Sequence, residues 1–385
     1  MLRILISGFF DGAAVERREL TEPSRWELHS ADRVQIEIGI SNSSTSPSCP
    51  SLSSSTPSSS PVLSIDLLQL PRCLSSSKVG VGAVLWDGGI VLTAVLASLP
   101  PSALLGEVVV ELGAGVGAPS LAAARRGARV VSTDKGAAVS GVLQKNVELN
   151  GLLSPSFKLP PEPGKVALRV LEFGTREGDE AAAALADAVF SSSESFSSST
   201  SVAAATATAG RAVDLVLAAD CVYSDGDGES PDPEALCRAA ARLLARGQRR
   251  QGGGGRGAEK KEEKEKANLL HPSPRFWLAS EERDAGTHAL FLEAAAGHFA
   301  TVRRLQLPAE LLKGRRREQG RKKKSGLEEE EEEEKDSESE NGNGNPWSHV
   351  RVFELAGAGC GSQSGLSMSA AEMRALRKPR KRGWP

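Results

Sequence analysis

Three glycines at alternate positions, Gly113, Gly115 and Gly117, stand in "VVVELGAGVGAPS" between a β-branched run and an alanine-rich one. A strand that turns through glycines into a helix brings bare backbone close to a ligand, and the helix start offers it unpaired N–H groups. The spacing also meets the G-x-G-x-x-G/A fingerprint through Gly113, Gly115 and Ala118. An acid, Asp134, closes the next apolar run, "ARVVSTD", 17 positions after Gly117. A carboxylate at that place accepts from ribose hydroxyls. A further acid and the only tyrosine in 385 residues, Asp220 and Tyr223, follow another apolar run in "DLVLAADCVYSD". The pattern is a nucleoside-holding loop on one strand end and a polar pair on another.

The elements that must position these residues follow a regular rhythm. Short apolar runs at 107–112, 128–134, 165–174, 212–220 and 275–282 alternate with helical stretches at 118–127, 136–151, 232–247 and 286–299. Two more runs, "ATVRRLQL" and "HVRVFELA", close the series. Alternation of this kind predicts an α/β fold: a mostly parallel, Rossmann-like sheet of seven strands with helices on both faces. Ligands of such sheets lie beyond the carboxyl ends of the strands, at the switch point, where both the glycine turn and Tyr223 fall.

Four stretches are too poor in apolar residues to offset chain entropy and are expected to be flexible loops. They are the Ser/Pro tract 41–61, the Ala/Ser/Thr stretch from about Glu180 to Gly210, the charged run 246–266, and 313–345 with its basic block and acidic block. The expected organisation is an N-terminal extension over 1–77, one domain over 78–356 with insertions near 180–210, 246–268 and 313–345, and a basic tail over 357–385. In the extension, "WELHSADRVQIEIGI" suggests a small strand pair covering the site.

Bulk composition excludes several classes. The net charge of −2 gives no reason to expect nucleic acid or an acidic membrane surface as partner. No apolar run reaches the roughly 20 residues of a membrane span. Asp11, Glu16 and Glu19 argue against a targeting leader at the start. Five cysteines without a paired spacing point to a reducing, cytoplasmic setting, and the five scattered histidines give no metal-ligand spacing, so no metal is expected. Arg374, Arg377, Lys378, Arg380, Lys381 and Arg382 form a basic cluster that leaves a nuclear destination open.

Both NAD and S-adenosylmethionine (SAM) present adenosine to such a turn. Glu111, directly before the glycines, repels a pyrophosphate and suits the ammonium or sulfonium end of SAM. An NAD-dependent reductase is also disfavoured by the absence of a Y-x-x-x-K pair. With the glycine loop, "LEFG", "DLVLAADCVYSD" and the upstream "VGAVLWDGGIVLTAVL" in this order, the chain from about Val79 to Leu355 resembles the family 16 seven-strand methyltransferases, the methyltransferase-like 21 type protein-lysine N-methyltransferases. The resemblance implies SAM as cofactor and transfer of its methyl group to a protein side chain, usually a lysine. It assigns the methionine part to Gly113, Gly115 and Gly117, the ribose to Asp134, and the pocket wall to the Trp86–Asp87 pair. It assigns the substrate side to Asp220 and Tyr223. Ala219 and Phe173 complete the cofactor set. Phe173 stands where the family usually has tryptophan, keeping a stacking face and losing area and the N–H donor.

Methyl transfer from a sulfonium is an in-line displacement and needs no metal. The acceptor amine must first be neutral, against a free lysine pKa of about 10.4. Asp220 is the expected group to orient it and Tyr223 the expected hydrogen-bonding or ring contact, with packing or helix capping as the bland alternative for each. Cys221 and Cys237 are expected as core fillers, and Arg283 either lines the site or is a solvated loop residue. Open alternatives are another acceptor (an arginine, a histidine or a small amine) and a non-catalytic SAM-binding scaffold. The expected partner is a protein substrate, with no nucleic acid and no membrane, and a monomer suffices.

Overall fold

The computed structural model describes residues 2–10, 13–20, 25–39, 62–74, 80–100, 102–156, 158–192, 212–223, 232–249, 274–307, 347 and 349–358. Its centre is strand β5 (Val108–Leu112), buried at every position. A β-branched strand buried on both faces belongs in the middle of a parallel sheet. Beside it run β6 (Arg129–Asp134) and β7 (Lys165–Val170) on one edge, and β8 (Leu215–Ala219) and β9 (Arg275–Glu281) on the other. All four neighbouring pairs among these five strands are parallel. The last two strands, β10 (Phe299–Arg304) and β11 (Val350–Ala358), finish the sheet in the order β10-β11-β9-β8-β5-β6-β7, with β11 antiparallel to both neighbours. The order reverses between β5 and β8, which places the switch point beside the glycine turn.

Period-two alternation along β5 divides the core. Val108, Val110 and Leu112 face one apolar layer, and Val109 faces the other. The first layer holds helices α6 (Arg176–Ser192), α7 (Pro233–Arg249) and α8 (Ala285–His298). The second holds α2 (Asp87–Ser98), α3 (Ala118–Arg125) and the helical stretch α4 (Gly136–Ala138), a π turn (Val139–Leu143) and α5 (Gln144–Leu149). In α2 all eleven residues from Asp87 to Ala97 are buried, so it needs no polar face. The stretch 180–192, expected as loop, is instead part of α6. Ala182, Leu185, Ala186 and Val189 are buried there, and Asp179 pairs with Arg238 and Arg242 of α7. Residues 246–249, also expected as loop, are instead the last turn of α7. Residues 40–61, 193–211, 250–273, 308–346 and 359–385, which hold the Ser/Pro tract and most of the remaining expected insertions and basic tail, lie outside the described residues.

The segment before residue 69 forms a second sheet. Strands β1 (Leu2–Phe10), β2 (Ala13–Glu19), β3 (Arg33–Gly39) and β4 (Val62–Leu68) pair antiparallel in the order β2-β1-β3-β4, with helix α1 (Arg25–Ser30) between β2 and β3. Leu2, Ile4, Ile6, Ile36, Ile38, Leu63, Ile65 and Leu67 share one apolar cluster with α2 and α3. The free edge of β4 is closed by two asparagine side chains one helical turn apart. Asn146 bonds the N–H and C=O of Leu68 at 2.7 and 3.0 Å, and Asn150 those of Asp66 at 3.2 and 2.7 Å. A side-chain amide copies the donor–acceptor pair of a neighbouring strand, so the edge is satisfied without one. Among the described residues no helix is long and apolar enough to cross a membrane.

Candidate active site

The glycine turn has left-handed backbone at all three positions, with φ of 63° at Gly113, 53° at Gly115 and 86° at Gly117. Two of them are also fixed by contact: a Cβ on Gly113 would lie 2.6 Å from Cys221 Sγ, and one on Gly117 would lie 2.5 Å from Leu143 Cδ1. At Gly115 the nearest atom is the Gly82 carbonyl oxygen at 3.3 Å, from the turn Gly80–Ala83 that lies against the loop. Asp134, half-buried at the end of β6, ties this loop down. Its Oδ2 accepts the Gly115 N–H and its Oδ1 the Lys135 N–H, both at 2.6 Å. Burial pushes its carboxyl upward, against these two N–H donors. Each oxygen keeps a further lone pair for a hydroxyl.

Glu111 does something different from what its position suggested. It is 1% exposed, and its carboxyl accepts the backbone N–H of Ser120 at 2.9 Å and the Ser120 hydroxyl, in the first turn of α3. Burial pushes its pKa up to about 8, opposed by the Ser120 bonds and reinforced by Asp134. At neutral pH it is therefore mostly protonated, so the charge argument made for an ammonium or sulfonium partner does not hold in this structure. Phe173, beyond β7, has ring atoms 3.6 and 4.0 Å from where a Gly113 side chain would start, so its ring borders the same loop.

On the other side of the switch point, Asp220 is the one non-glycine residue with positive φ among the described residues, at 51°. Asp tolerates the left-handed region better than most residues, and strained backbone of this kind collects at functional sites. Its Oδ2 accepts the Gly88 N–H at 2.6 Å and its Oδ1 the Glu281 N–H at 3.1 Å. The carboxylate thus ties the start of α2 to the end of β9. A Cβ on Gly88 would stand 2.6 Å from Asp220 Oδ2, which explains the glycine after the Trp–Asp pair. Burial raises the Asp220 pKa to about 6, with Asp87 adding to the shift and Arg283 and the two N–H groups opposing it. Ala219 precedes it, half-buried at the end of β8. Tyr223 lines a cavity of about 10 Å³ with Val222, Ser280, Glu281, Arg283 and His288, on the Asp220 side and away from the glycine loop. That volume suits a single water.

Trp86 is held on its edges and its face: its indole N–H donates to the Val81 carbonyl at 2.8 Å, His29 stacks edge-on at 4.4 Å, and Arg283 lies 4.5 Å over the ring. Arg283 is therefore at the site, also bonding Glu281 at 2.6 Å. Asp87 is buried and meets Arg25 and His349, each at 2.9 Å. Burial works against its charge, but the bonds from His349 and Arg25 hold its pKa below the usual value. Burial also drives His29 down to about 4. Sequence reasoning missed Arg25, His29, Glu281 and His349, because nothing local marks them and the contacts span up to 262 positions. Cys221 and Cys237 are buried, and burial raises both thiols well above the usual range.

The family described as lysine methyltransferase, methyltransferase family 16, matches residues 72–193. This stretch is similar to the family 16 methyltransferases. It contains Trp86, the glycine turn, Asp134 and Phe173, and it ends before Asp220 and Tyr223. Among solved structures, the chain is similar to a T. thermophilus 16S rRNA N2 G1207 methyltransferase in complex with AdoMet and guanosine, at 16% identity and a TM-score of 0.36. That match covers 77% of this chain and 48% of the other, about half its length. It is also similar to human methyltransferase-like protein 13 in complex with SAH, at 13% identity and a TM-score of 0.33, over 77% of this chain and 94% of that one. These likenesses are shallow, and the fold rests on the strand order described above.

SAM, the group this family implies, can be tested against the residues present. The glycine turn presents backbone without side chains, with the Gly82 backbone packed on the Cβ side of Gly115, the Asp134 carboxylate keeps acceptor capacity beside it, and Phe173 borders the loop with an aromatic ring. The donor set fits a nucleoside.

Proposed function

We propose that the chain is a SAM-dependent methyltransferase whose acceptor is a lysine side chain of a protein. The observation that carries the reading is the pairing of two clamped carboxylates on the strand ends that flank β5: Asp134 at the end of β6, tied to the glycine turn, and Asp220 in left-handed backbone after β8, across the switch point. When bound, SAM supplies an electrophilic methyl group on a sulfonium. Asp134 holds the ribose, the glycine turn admits the methionine part against its backbone, and Phe173 and Trp86 wall the pocket. Glu111 acts through Ser120, bracing the first turn of α3. Across the switch point Asp220 and Tyr223 orient the incoming amine, and the buried setting of Asp220 favours the neutral form of that amine. The description of the matched family supports lysine as the acceptor. A cytoplasmic setting and a monomeric enzyme belong to the same reading.

The test is transfer of an isotope-labelled methyl group from SAM to proteins of a cell lysate, followed by amino-acid analysis. Methyl-lysine formed by the wild type and absent with Asp220→Ala is expected. Label found on arginine or histidine, or no label from a folded protein that binds SAM, would remove the lysine assignment.

A further inference from the structure

A guanidinium usually meets carboxylates with its fork, two N–H groups in parallel against two oxygens. Arg25 does not. Asp87 Oδ2 and Glu281 Oε2 both accept from one nitrogen, Nη2, at 2.9 and 2.7 Å, and Nε is buried without a hydrogen-bond partner. Two carboxylates converging on one nitrogen suit an ammonium, a compact charge with three rotatable donors. An orphaned buried donor on a charged group is unfavourable, so Arg25 fills this place imperfectly.

The seat does not depend on Arg25 to hold its shape. Asp87 Oδ2 keeps His349 Nε2 at 2.9 Å, and Glu281 Oε2 keeps Arg283 Nε at 2.6 Å. With the His349 imidazole neutral, the two acids less Arg283 leave one negative charge for one cation. Both carboxylates adjoin the proposed acceptor side directly, since Asp220 accepts the N–H of Glu281 and the N–H of Gly88, next to Asp87. Arg25 comes from the six-residue helix α1 and its side chain is 40% exposed, so it can leave toward solvent.

We propose that Asp87 and Glu281 form an ammonium seat for the lysine side chain of the acceptor protein, and that Arg25 is a built-in occupant displaced when the acceptor arrives. The seat holds the charged form ahead of transfer. The identity of the incoming side chain rests on the methyl-transfer reading, whereas the seat itself does not.

The test uses the full chain with Arg25→Gly, probed by n-butylammonium, a lysine side-chain mimic, with sodium chloride as ionic control and SAM binding measured on the same samples. Arg25→Gly is expected to bind n-butylammonium about tenfold or more tightly than the wild type, and Glu281→Gln added to it is expected to remove the gain. Arg25→Lys is expected to melt no lower than the wild type, because an ammonium satisfies the seat and the orphaned Nε is gone. Folded Arg25→Gly with no gain in butylammonium binding overturns the proposal. So does Zn²⁺ binding through Asp87, Glu281 and His349 in its place, since their ligand atoms lie within 4.8 Å of one another. Should Arg25→Gly not fold, Arg25→Lys decides, and a melting point well below the wild type overturns the seat. Loss of SAM binding in the wild type would refute the enzyme reading and leave these outcomes standing.

Discussion

Replacing Glu111 by glutamine is expected to stabilise the protein at neutral pH and to leave it almost unchanged in acid. The carboxyl is pushed from its ordinary 4.5 up to about 8 in the folded chain. A folded state that holds its proton more tightly gains stability fully below the unfolded pKa. That gain is lost progressively as pH rises from about 4.5 to about 8. At pH 7 the unfolded chain has ionised about 2.5 units past its midpoint while the folded one has barely begun. At about 1.4 kcal/mol per unit, the penalty is on the order of 3 kcal/mol. Glutamine keeps an oxygen for both Ser120 donors and has no proton to lose. Melting curves of wild type and Glu111→Gln at pH 4.5 and 7.5 measure the difference directly. A gain of several degrees at 7.5 that vanishes at 4.5 is expected. An equal difference at both values would refute the protonated, buried carboxyl. A large loss of SAM affinity with no gain in stability would restore an ionised Glu111 facing the cofactor.

Asp220→Asn removes a group that titrates near 6, so the acid limb of the kcat/KM profile close to that pH is expected to disappear, with activity down by about 100-fold; an unchanged limb assigns it elsewhere. Gly113→Ala places a Cβ 2.6 Å from Cys221 Sγ at a φ of 63° and is expected to cost about 2 kcal/mol or more. Adding Cys221→Ala should relieve the clash and leave about 1 kcal/mol of backbone strain; strictly additive losses in urea melts would contradict the contact. Asn146→Ala strips the partners from Leu68 N–H and C=O and from the Val116 carbonyl. A loss of about 2 kcal/mol is expected, with faster hydrogen exchange at the Leu68 amide, and an unaltered exchange rate would count against the edge clamp.

The central sheet was legible because each of its strands carries its own signal. β5 and β6 are valine-rich runs, closed by the glycine turn and by an acid, and the glycine loop and Asp134 lie within 25 positions of one another. The four-stranded sheet was legible only in part: a strand pair was expected in "WELHSADRVQIEIGI", where the structure has helix α1 and the single strand β3. In "LRILISGFF" the inward residues Leu2, Ile4 and Ile6 are separated by Arg3 and Leu5, and the partners of this strand lie some 30 positions away in β3. β4 follows directly on a Ser/Pro tract, and its alternation of Leu63, Ile65 and Leu67 was hidden by that neighbour. Helix α2 is buried on all sides and has two glycines directly after its first residue, Asp87, so no 3.6-residue stripe marks it. The alanine-rich start of the 180–210 stretch was set aside on composition, although Leu185 and Val189 lie at i and i+4 on the face that meets the first apolar layer. At the site, type and spacing marked the glycine turn and Asp134, which the structure brings together, while Arg25, Glu281 and His349 are assembled only by tertiary packing. Glu111 shows the same limit from the other side. Its position before the glycines was plain, and only burial against α3 decides its charge.

The most direct measurement is calorimetric titration of the purified chain with SAM, with NADH and with the Asp134→Ala variant as controls. Binding of SAM at micromolar Kd is expected for the wild type, with no heat from NADH. In the variant, affinity is expected to fall by about tenfold or more as the ribose acceptor and the Gly115 clamp are lost together. A folded wild type that gives no heat with SAM, or an Asp134→Ala variant that binds it equally well, would contradict a nucleoside held between the glycine turn and Asp134.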